Sequence, residues 1–564
     1  MVVFNLVSNQ LNFLFFRRHN ISGFIAEWIF TVKQDIYAVK PISTLPQNTT
    51  MELSPHIIAL PQLKKLPQLP FSDFIQNFRS RLEAVFHQRT THDELGTQRG
   101  MPPYVMREIL SADPMLAFIP ESHGGRGAHV HEGIEVVSAA SYESLALGLT
   151  LGINWGLFLQ PMAKYGNDAI KDEIFKGFVA DKKMGGLMIT EPNHGSDALN
   201  MQTSFTESKD SYHLKGTKHW AGLTGWADYW LLTARRKTSG GDLMRDIEFF
   251  VSDNNLPGQG IEVEEYFENL GLYMIPYGRN KIDIRIPKLY RLEPKTNGIA
   301  MLQDSLHRSR LQIPSMAMGF IKRMLDEALD HCQQRFVGAK SLFGYDQVQH
   351  RLSGIQSAFT ITSAICAHTG ENARTGTDLM DQGLKANAVK SVSTDLMQES
   401  AQHLFQLVGA KGYKLNHIAG RAIVDSRPFQ VFEGSNDILY AQISESVVKL
   451  MKQAKETNLY RFLKDFTLTG MSAEHLKEMV NFDLNPQLPQ RKLVELGKVL
   501  GRIISMEMVI EIGNRGFNQE MIGNAMEFLR QEVSSTLNSW SMNTRAMVTV
   551  DYSNRSHWLD FIKA

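Results

Sequence analysis

The sequence from residue 188 to 197 reads MITEPNHGSD and marks a change in the character of the chain. An apolar run, which predicts a strand, ends in a Thr-Glu-Pro step followed by a Gly-Ser-Asp turn. Backbone amides in such a turn, together with the hydroxyl groups of Thr190 and Ser196, can hold the edge of a ring or a phosphate oxygen. An ordinary Asx-type turn at the end of a strand is the alternative interpretation.

Short strands are predicted after this segment. Residues 281–286 alternate polar and apolar side chains with period two, as in a half-buried strand. Residues 229–232 and 247–251 are further strand candidates, and glycine-containing turn clusters separate them. About a hundred residues of short strands predict a small β-barrel or sandwich.

Helices are predicted on both sides of these strands. Before them, Phe74, Phe78, Leu82 and Phe86 recur every four residues, which places them on one face of a helix. After them, proline nearly vanishes between residues 299 and 449, which is typical of the long helices of a bundle.

The expected fold class is α+β and multidomain, because 564 residues are too many for one compact core. It combines an N-terminal α-helical domain, a middle small β-barrel or sandwich domain, a C-terminal four-helix-bundle domain and extra C-terminal helices. The predicted boundaries are 1–70 for an N-terminal extension and linker, 71–184 for the N-terminal helical domain, 185–297 for the middle β domain, 298–449 for the C-terminal helical bundle and 450–564 for an additional helical region.

The charge and cysteine content argue against several classes of protein. Lys and Arg together number 59, as do Asp and Glu, and from residue 452 onward 14 basic residues stand against 13 acidic ones. No nucleic-acid partner is expected, because binding to phosphates requires a basic surface. The two cysteines, Cys332 and Cys366, support neither a disulfide framework nor a metal site, and they fit a reducing compartment.

The first 16 residues are uncharged and largely apolar, but Asn and Gln interrupt them and they are too few to span a bilayer. No integral membrane segment is therefore expected. The predicted location is cytoplasmic, and the alternative is the mitochondrial matrix if the N-terminal extension is a transit peptide.

Further segments carry residues suited to a binding site. Trp220 can cover one face of a flat ring, or it can be an ordinary core residue. Arg310 and Arg335 are predicted near opposite ends of one helix, where Arg335 can bind a pyrophosphate or form a surface salt bridge. The stretch QLVGAKGY at 406–413 breaks a helix, either for close approach of a cofactor or as a plain helix C-cap.

Glu433 is the candidate catalytic residue. It lies between an apolar run and Gly434, a position that suits burial, and burial raises the pKa of a carboxyl group. A base that works near neutral pH requires such a pKa. The alternative interpretation is that Glu433 and Ser435 cap the helix that begins at Asn436.

Together, these segments resemble the flavin site and the catalytic base of the acyl-CoA dehydrogenase family. The resemblance covers about residues 75–448 and rests on five motifs in the same order and on the same kinds of element. The intervals that match the family are Thr190 to Trp220, Thr190 to Arg310, Gly319 to Arg335, and Gln406 to Glu433.

The resemblance implies an FAD cofactor and assigns residues to it. Glu433 would be the catalytic base, and Ser196, Arg310 and Gly434 would contact the substrate. Arg335, Val337 and Gln347, with residues 406–410, would bind the adenosine and pyrophosphate of a flavin held mainly by a neighbouring subunit. The residues implied in cofactor binding are Leu187, Met188, Thr190, Ser196, Trp220, Gly222, Arg335, Val337, Gln347, Gln406, Gly409, Ala410, Ser435 and Asp437.

The resemblance also implies a reaction of fatty acid β-oxidation. Glu433 would take the α-proton of an acyl-CoA thioester while flavin N5 takes the β-hydride, which gives a trans-2-enoyl-CoA. The backbone N–H of the base and a ribityl hydroxyl of FAD would polarise the carbonyl oxygen. The implied partners are the acyl-CoA substrate, an electron-transferring flavoprotein or similar acceptor, and further copies of the chain in a homodimer or homotetramer.

The chain departs from the family at Ala221-Gly222, where Ile-Thr is usual. A hydroxyl expected near flavin N5 is therefore missing, and Thr224 is a candidate replacement. Two other roles remain open: another flavoprotein of the same fold, either an acyl-CoA oxidase or a DNA-associated alkylation-response protein, and a scaffold without turnover. The balanced charge argues against DNA binding, and Glu433 argues against the scaffold.

Overall fold

The computed structural model describes residues 69–374, 376–542 and 547–555. The predicted N-terminal extension and linker, residues 1–70, lie almost entirely outside the described residues. The described elements follow the predicted order of helices, strands and helices.

The N-terminal part is helical, and a π-helical segment, Ile153–Leu159, joins two of its helices. The stretch Leu145–Tyr165 is long and apolar enough to cross a membrane, but 89% of its most apolar window is buried. An apolar core helix has these same properties. The helices are α1 (Phe71–Glu83), α2 (His92–Leu95), α3 (Pro103–Leu110), α4 (Val130–Glu143), α5 (Leu145–Gly152), α6 (Gln160–Tyr165) and α7 (Asp168–Ala180).

The middle part forms one seven-stranded sheet. Its order is β1-β4-β2-β3-β7-β6, and β5 pairs with β4. The strands predicted at 229–232, 247–251 and 281–286 are confirmed. The strands are β1 (Gly185–Met188), β2 (Ser204–Glu207), β3 (Ser211–His219), β4 (Tyr229–Lys237), β5 (Leu243–Asp253), β6 (Glu262–Tyr266) and β7 (Gly278–Pro287).

The remaining part is helical apart from a short hairpin of β8 (Phe336–Val337) and β9 (Lys340–Ser341). Its first helices are α8 (Gly298–Gln334), α9 (Asp346–Asn372), α10 (Gly383–Val408), α11 (Ile418–Ser426) and α12 (Asn436–Ala454). The additional region contains α13 (Leu459–Asp465), α14 (Gly470–His475), α15 (Lys477–Val480), α16 (Gln490–Asn514), α17 (Gln519–Ser541) and α18 (Tyr552–Arg555).

Helix α8 is longer than the sequence predicted. It begins at Gly298, where the side chain of Asn297 accepts a hydrogen bond from the N–H of Ala300, and it continues through Pro314. Arg310 therefore lies in the interior of the helix and not near its end. Arg335 is the C-cap residue, as expected.

The C-terminal bundle is built on α8, which packs against α9 and α10, while α10 also packs against α12. Helices α16 and α17 of the additional region pack against the same bundle, α16 on α9, α10 and α12 and α17 on α9. The extra helices thus widen the bundle. Cys332 and Cys366 are buried free thiols.

Candidate active site

Glu433 lies in the loop before α12 with a φ of 55°, in the left-handed region. For a residue other than glycine, this conformation costs on the order of 1–3 kcal/mol and is concentrated at functional sites. The following residue, Gly434, has a φ of 96°. A Cβ at Gly434 would lie 2.9 Å from Leu439 Cδ2 and 3.3 Å from Arg310 Nη2, so only glycine fits the loop without movement.

One carboxylate oxygen of Glu433 is held and the other is free. Ser309 Oγ donates to Oε1 at 2.8 Å, whereas the buried Oε2 has no hydrogen-bond partner among the described residues. Burial raises the pKa of Glu433, against the opposing effects of Ser309, Arg310 and Lys390. The carboxylate makes no capping bond to α12, because Ser309 holds it, and Ser435 makes none either. Ser435 occupies the N-cap position of a helix that begins at Asn436, as the capping interpretation expected, but neither side chain makes a capping hydrogen bond.

Two buried cations fix the backbone of this loop. Arg310 Nε donates to the carbonyl of Glu433 at 2.9 Å, and Arg310 Nη1 donates to Asn387 Oδ1 at 2.8 Å. Lys390 Nζ donates to the carbonyl of Gly434 at 2.9 Å. Burial lowers the pKa of Lys390 to about 7, although the nearby Glu433 carboxylate raises it. The two cations set both the position of Glu433 and its electrostatic environment.

A cavity lies beside the free carboxylate oxygen, between α4, α5, the π-helical segment and α8. Glu433 and Ser309 line it on one side, and the apolar side chains of Ile153 and Met316 also contribute. A Cβ at Gly222 would come within 2.7 Å of Ile153 Cδ1. Ile153 therefore connects the cavity of the base to the turn after β3, where the predicted flavin residues lie.

The predicted segments around Thr190 and Trp220 are adjacent. The N–H of His219 donates to the carbonyl of Thr190 at 2.8 Å. Trp220 follows β3 with a φ of 55°, is 56% exposed, and packs against Phe267 with 4.6 Å between ring centroids. The interpretation of Trp220 as a core residue is therefore wrong, and its ring is available to a ligand.

The loop after β1 is anchored from inside the sheet. Buried Glu191 accepts from Lys218 Nζ at 3.0 Å and from the N–H of Thr203 at 2.9 Å. Of the predicted residues here, Leu187 and Thr190 are half-buried, Met188 is buried, and Ser196 is exposed.

Thr224 does not supply the missing hydroxyl. Its Oγ1 is buried, donates to the carbonyl of Ala221 at 2.7 Å and accepts from Asn280 Nδ2 at 3.1 Å. This hydroxyl closes the turn, so the difference at Ala221-Gly222 is not compensated by Thr224.

The other predicted cofactor residues form what we call the surface cluster: Arg335, Val337, Gln347, Gln406, Gly409 and Ala410. All six are exposed. Near this cluster, burial and then the charges of Lys411 and Arg335 lower the pKa of His331. Gly409, with a φ of 68°, ends α10. Ser435 and Asp437 lie at the start of α12, half-buried and exposed respectively.

The structure thus gathers Ser309, Arg310, Glu433 and Gly434 in one pocket, with Gly222 next to it, and leaves the surface cluster apart. Sequence reasoning missed Ser309, Lys390 and Ile153. Lys390 carried a signal, since it is a lone cation within the apolar and small residues of ANAVKSVS at 386–393. Ser309 and Ile153 carried none, because a serine and an isoleucine are common in helices.

One further group of side chains has ligand atoms close enough to hold a metal ion, namely His87, His92 and Glu143. Arg323 Nη1, however, lies 3.0 Å from His92 Nε2 and 3.2 Å from Glu143 Oε2. A guanidinium at that position already provides the positive charge, so this group is better described as a charged hydrogen-bond network.

Comparison with known proteins gives matches along most of the described chain. Residues 73–182, 186–283 and 296–448 match the models of the acyl-CoA dehydrogenase N-terminal, middle and C-terminal domains. An acyl-CoA dehydrogenase of Bacillus subtilis is 24% identical over 332 residues, which are 58% of this chain and 85% of that protein. A short-chain-specific acyl-CoA dehydrogenase of Megasphaera elsdenii is 23% identical over 337 residues, 59% of this chain and 86% of that protein.

Solved structures share the fold. Butyryl-CoA dehydrogenase from Megasphaera elsdenii aligns with a TM-score of 0.59 and 22% identity, covering 68% of this chain and 99% of its own. An acyl-CoA dehydrogenase complexed with FAD from Bacillus anthracis aligns with a TM-score of 0.65 and 16% identity, covering 83% of this chain and 88% of its own. The larger coverage indicates that part of the additional C-terminal region has a counterpart there.

Proposed function

The chain belongs to the acyl-CoA dehydrogenase family, and on that premise we propose that it oxidises an acyl-CoA thioester to the trans-2-enoyl-CoA with FAD as cofactor. Glu433 is the base that removes the α-proton. The observation that carries the proposal is the free Oε2 of Glu433, buried beside a cavity whose wall, through Ile153, reaches the turn that carries Gly222 and Trp220.

The pocket supports proton transfer. Ser309 fixes Oε1 and leaves Oε2 for the substrate, and burial raises the pKa of the carboxyl group so that it can accept and release a proton near neutral pH. Ser309, Arg310 and Lys390 limit this rise, because each favours the charged form of the carboxyl group.

The pocket also offers a donor for the thioester carbonyl. The backbone N–H of Glu433 donates to no acceptor in the part of the chain that the structure describes. Its left-handed conformation, fixed by Arg310 on its own carbonyl, keeps this N–H in place. A preorganised donor of this kind stabilises the negative charge that develops on the oxygen as the α-proton leaves.

The residues near the pocket fit FAD. When bound, FAD supplies the acceptor for the hydride that leaves the β-carbon. Trp220 presents an exposed aromatic face, and the residue before it, His219, donates its N–H to the carbonyl of Thr190. In the surface cluster, Arg335 forms no ion pair with any described residue, so its guanidinium is free for a pyrophosphate.

The separation of the surface cluster from the pocket supports a cofactor shared between two copies of the chain, hence a homodimer or homotetramer. An electron-transferring flavoprotein or a similar acceptor is the proposed partner for reoxidation.

Anaerobic titration tests the proposed function. The purified protein is expected to bind FAD and be yellow, and an acyl-CoA of suitable length is expected to bleach the flavin absorption with formation of enoyl-CoA. A series of acyl-CoAs from short to long covers the unknown chain length. A protein that cannot be loaded with FAD contradicts the cofactor, and a loaded protein that no acyl-CoA bleaches contradicts the reaction.

A further inference from the structure

The loop that carries Glu433, residues 430–436, is called the base loop here. One carboxylate holds both of its ends. Asp395, on α10, accepts at Oδ1 from Gln430 Nε2 at 2.8 Å and from Asn436 Nδ2 at 2.7 Å. Gln430 precedes Glu433 by three residues and Asn436 follows it by three. Asp395 therefore clamps the loop on both sides of the base.

The opposite oxygen of Asp395 faces the additional C-terminal region. Arg502, on α16, donates to Oδ2 from Nη1 and Nη2, each at 3.3 Å. Tyr440, on α12, donates to the same oxygen at 2.6 Å and accepts from Arg502. The chain of contacts thus runs from the base loop to a residue that lies beyond the matched family domains.

The same network includes Lys390. Asn436 donates to Asp395 with its nitrogen and accepts from Lys390 Nζ at 2.9 Å with its oxygen, and Lys390 also donates to the carbonyl of Gly434. The orientation of the Asn436 amide is therefore fixed by charges on both sides. Lys390, Tyr440, Asn436 and Arg502 are all buried, so water does not substitute for a lost partner without rearrangement.

Arg502 is needed for this arrangement because it balances the charge of Asp395. Without a cation, a largely buried carboxylate is costly, and it relaxes by taking up a proton or by drawing in another donor. Either change alters the hydrogen bonds that Asp395 accepts at Oδ1, so the base loop loses its bonds from Gln430 and Asn436. Lys390 is the nearest other buried cation of the network, and if it turns to Asp395, its bond to the carbonyl of Gly434 is lost.

We propose that the additional C-terminal region takes part in catalysis through Arg502, which acts as a positioning residue that locks the loop of Glu433 by way of Asp395. The inference rests on the proposed function of Glu433. It assigns to α16 a role beyond packing, since the base loop depends on a side chain from that helix.

The test compares two variants within α16. Arg502→Met removes the cation from the network. Glu507→Gln is the control, because Glu507 is equally buried but accepts from the N–H groups of Met471 and Ser472 at 3.1 and 2.7 Å and has no contact with the network. Both changes remove hydrogen bonds within the additional region, but only Arg502→Met removes a contact of the network that holds the base loop. Arg502→Lys is the third variant, since it keeps the charge and is expected to fold.

Flavin reduction by acyl-CoA is measured in single turnovers, together with amide hydrogen exchange in residues 430–436. For Arg502→Met we expect reduction to slow roughly ten- to a hundredfold, as for a misplaced catalytic group, with little change in substrate affinity. Exchange in the loop should rise. Glu507→Gln should reduce its flavin at the wild-type rate, and Arg502→Lys should recover part of the loss.

A wild-type rate and unchanged exchange in Arg502→Met would overturn the inference, as would an equal loss in Glu507→Gln. If Arg502→Met does not fold, Arg502→Gln, which removes the charge and keeps a hydrogen-bond donor, takes its place: a wild-type rate and an unaltered loop contradict a positioning role. The exchange measurement does not depend on turnover. A wild-type protein without dehydrogenation therefore contradicts the proposed function, while the loop measurement still tests the role of Arg502.

Discussion

The pocket of Glu433 and the surface cluster differ in how much of their environment the chain itself provides. In the pocket, α8, α10 and the loop before α12 supply every contact of the base, and both cations that hold the loop are buried. In the surface cluster, Arg335 is exposed, and its neighbours Phe336 and Val337 are 61% and 46% exposed. Under the proposed function, proton transfer is prepared within one chain, whereas a second copy of the chain would complete the cofactor site.

The electrostatics of the two regions differ in the same way. Burial changes the pKa of both Glu433 and Lys390, so the chemistry of the pocket depends on pH and on small movements of charge. Arg335 is exposed and forms no ion pair with a described residue. A change in the pocket should therefore alter rates and pH profiles, and a change in the surface cluster should alter affinity.

The largest effect is expected for Glu433→Gln. The amide keeps the shape of the side chain but cannot accept the α-proton, so the rate of flavin reduction should fall by roughly 10²–10⁴-fold. FAD content and acyl-CoA binding should stay near wild type. Stopped-flow absorbance under anaerobic conditions measures the rate, and equilibrium titration measures binding.

Glu445→Gln is the matched control, since Glu445 is an exposed residue of α12. It should reduce its flavin like the wild type. Flavin reduction at the wild-type rate in Glu433→Gln would mean that another group is the base. The pocket of Glu433 would then not be the catalytic region in this comparison.

A smaller effect, on affinity, is expected for Arg335→Ala. Loss of a charge-assisted hydrogen bond costs about 1.5–3 kcal/mol, which corresponds to roughly a 10- to 100-fold weaker affinity for FAD. Because Arg335 is far from the chemistry in this interpretation, the rate of flavin reduction at saturating FAD should hardly change. Fluorescence titration of the apoprotein with FAD gives the affinity.

Lys322→Ala serves as the control for Arg335→Ala, because Lys322 is a half-exposed cation on the same helix α8 and pairs with Asp326. Its affinity for FAD should be that of the wild type. If Arg335→Ala slows reduction and leaves affinity intact, the division between a catalytic pocket and a binding surface is wrong.

Much of this arrangement was accessible from sequence because it is encoded locally. The alternation at 281–286 predicts β7, the Phe74–Phe86 spacing predicts α1, and Gly434 beside an apolar run predicts a buried base. Each signal depends on residues within one turn or strand. The resemblance to a family then supplied what local signals lack, namely which segments meet.

The contacts that tune the base were not accessible in this way. Ser309 meets Glu433 across 124 residues and Lys390 meets Gly434 across 44, and no local pattern encodes such pairs. The sequence left the exposure of Trp220 open, because a tryptophan after a strand is often buried, whereas here the residue has a positive φ and is 56% exposed. The start of α8 was misplaced, because Arg310 was expected near the end of the helix, whereas the helix begins at Gly298 and continues through Pro314.

The smallest and most specific effect is expected for Lys390→Met, which removes a cation from the pocket and leaves a side chain of similar size. Since Lys390 lowers the pKa of Glu433 and burial raises it, the variant should have a base with a higher pKa than the wild type. The base works only when deprotonated, so the acid limb of the kcat profile should move to higher pH. Below the new pKa of the base, activity should fall roughly tenfold for each step of one pH unit, and it should recover above that pKa. Lys385→Met, a half-buried lysine on the same helix, should keep the wild-type profile. A Lys390→Met profile that is lower at every pH by the same factor would show that Lys390 supports the loop without tuning the base.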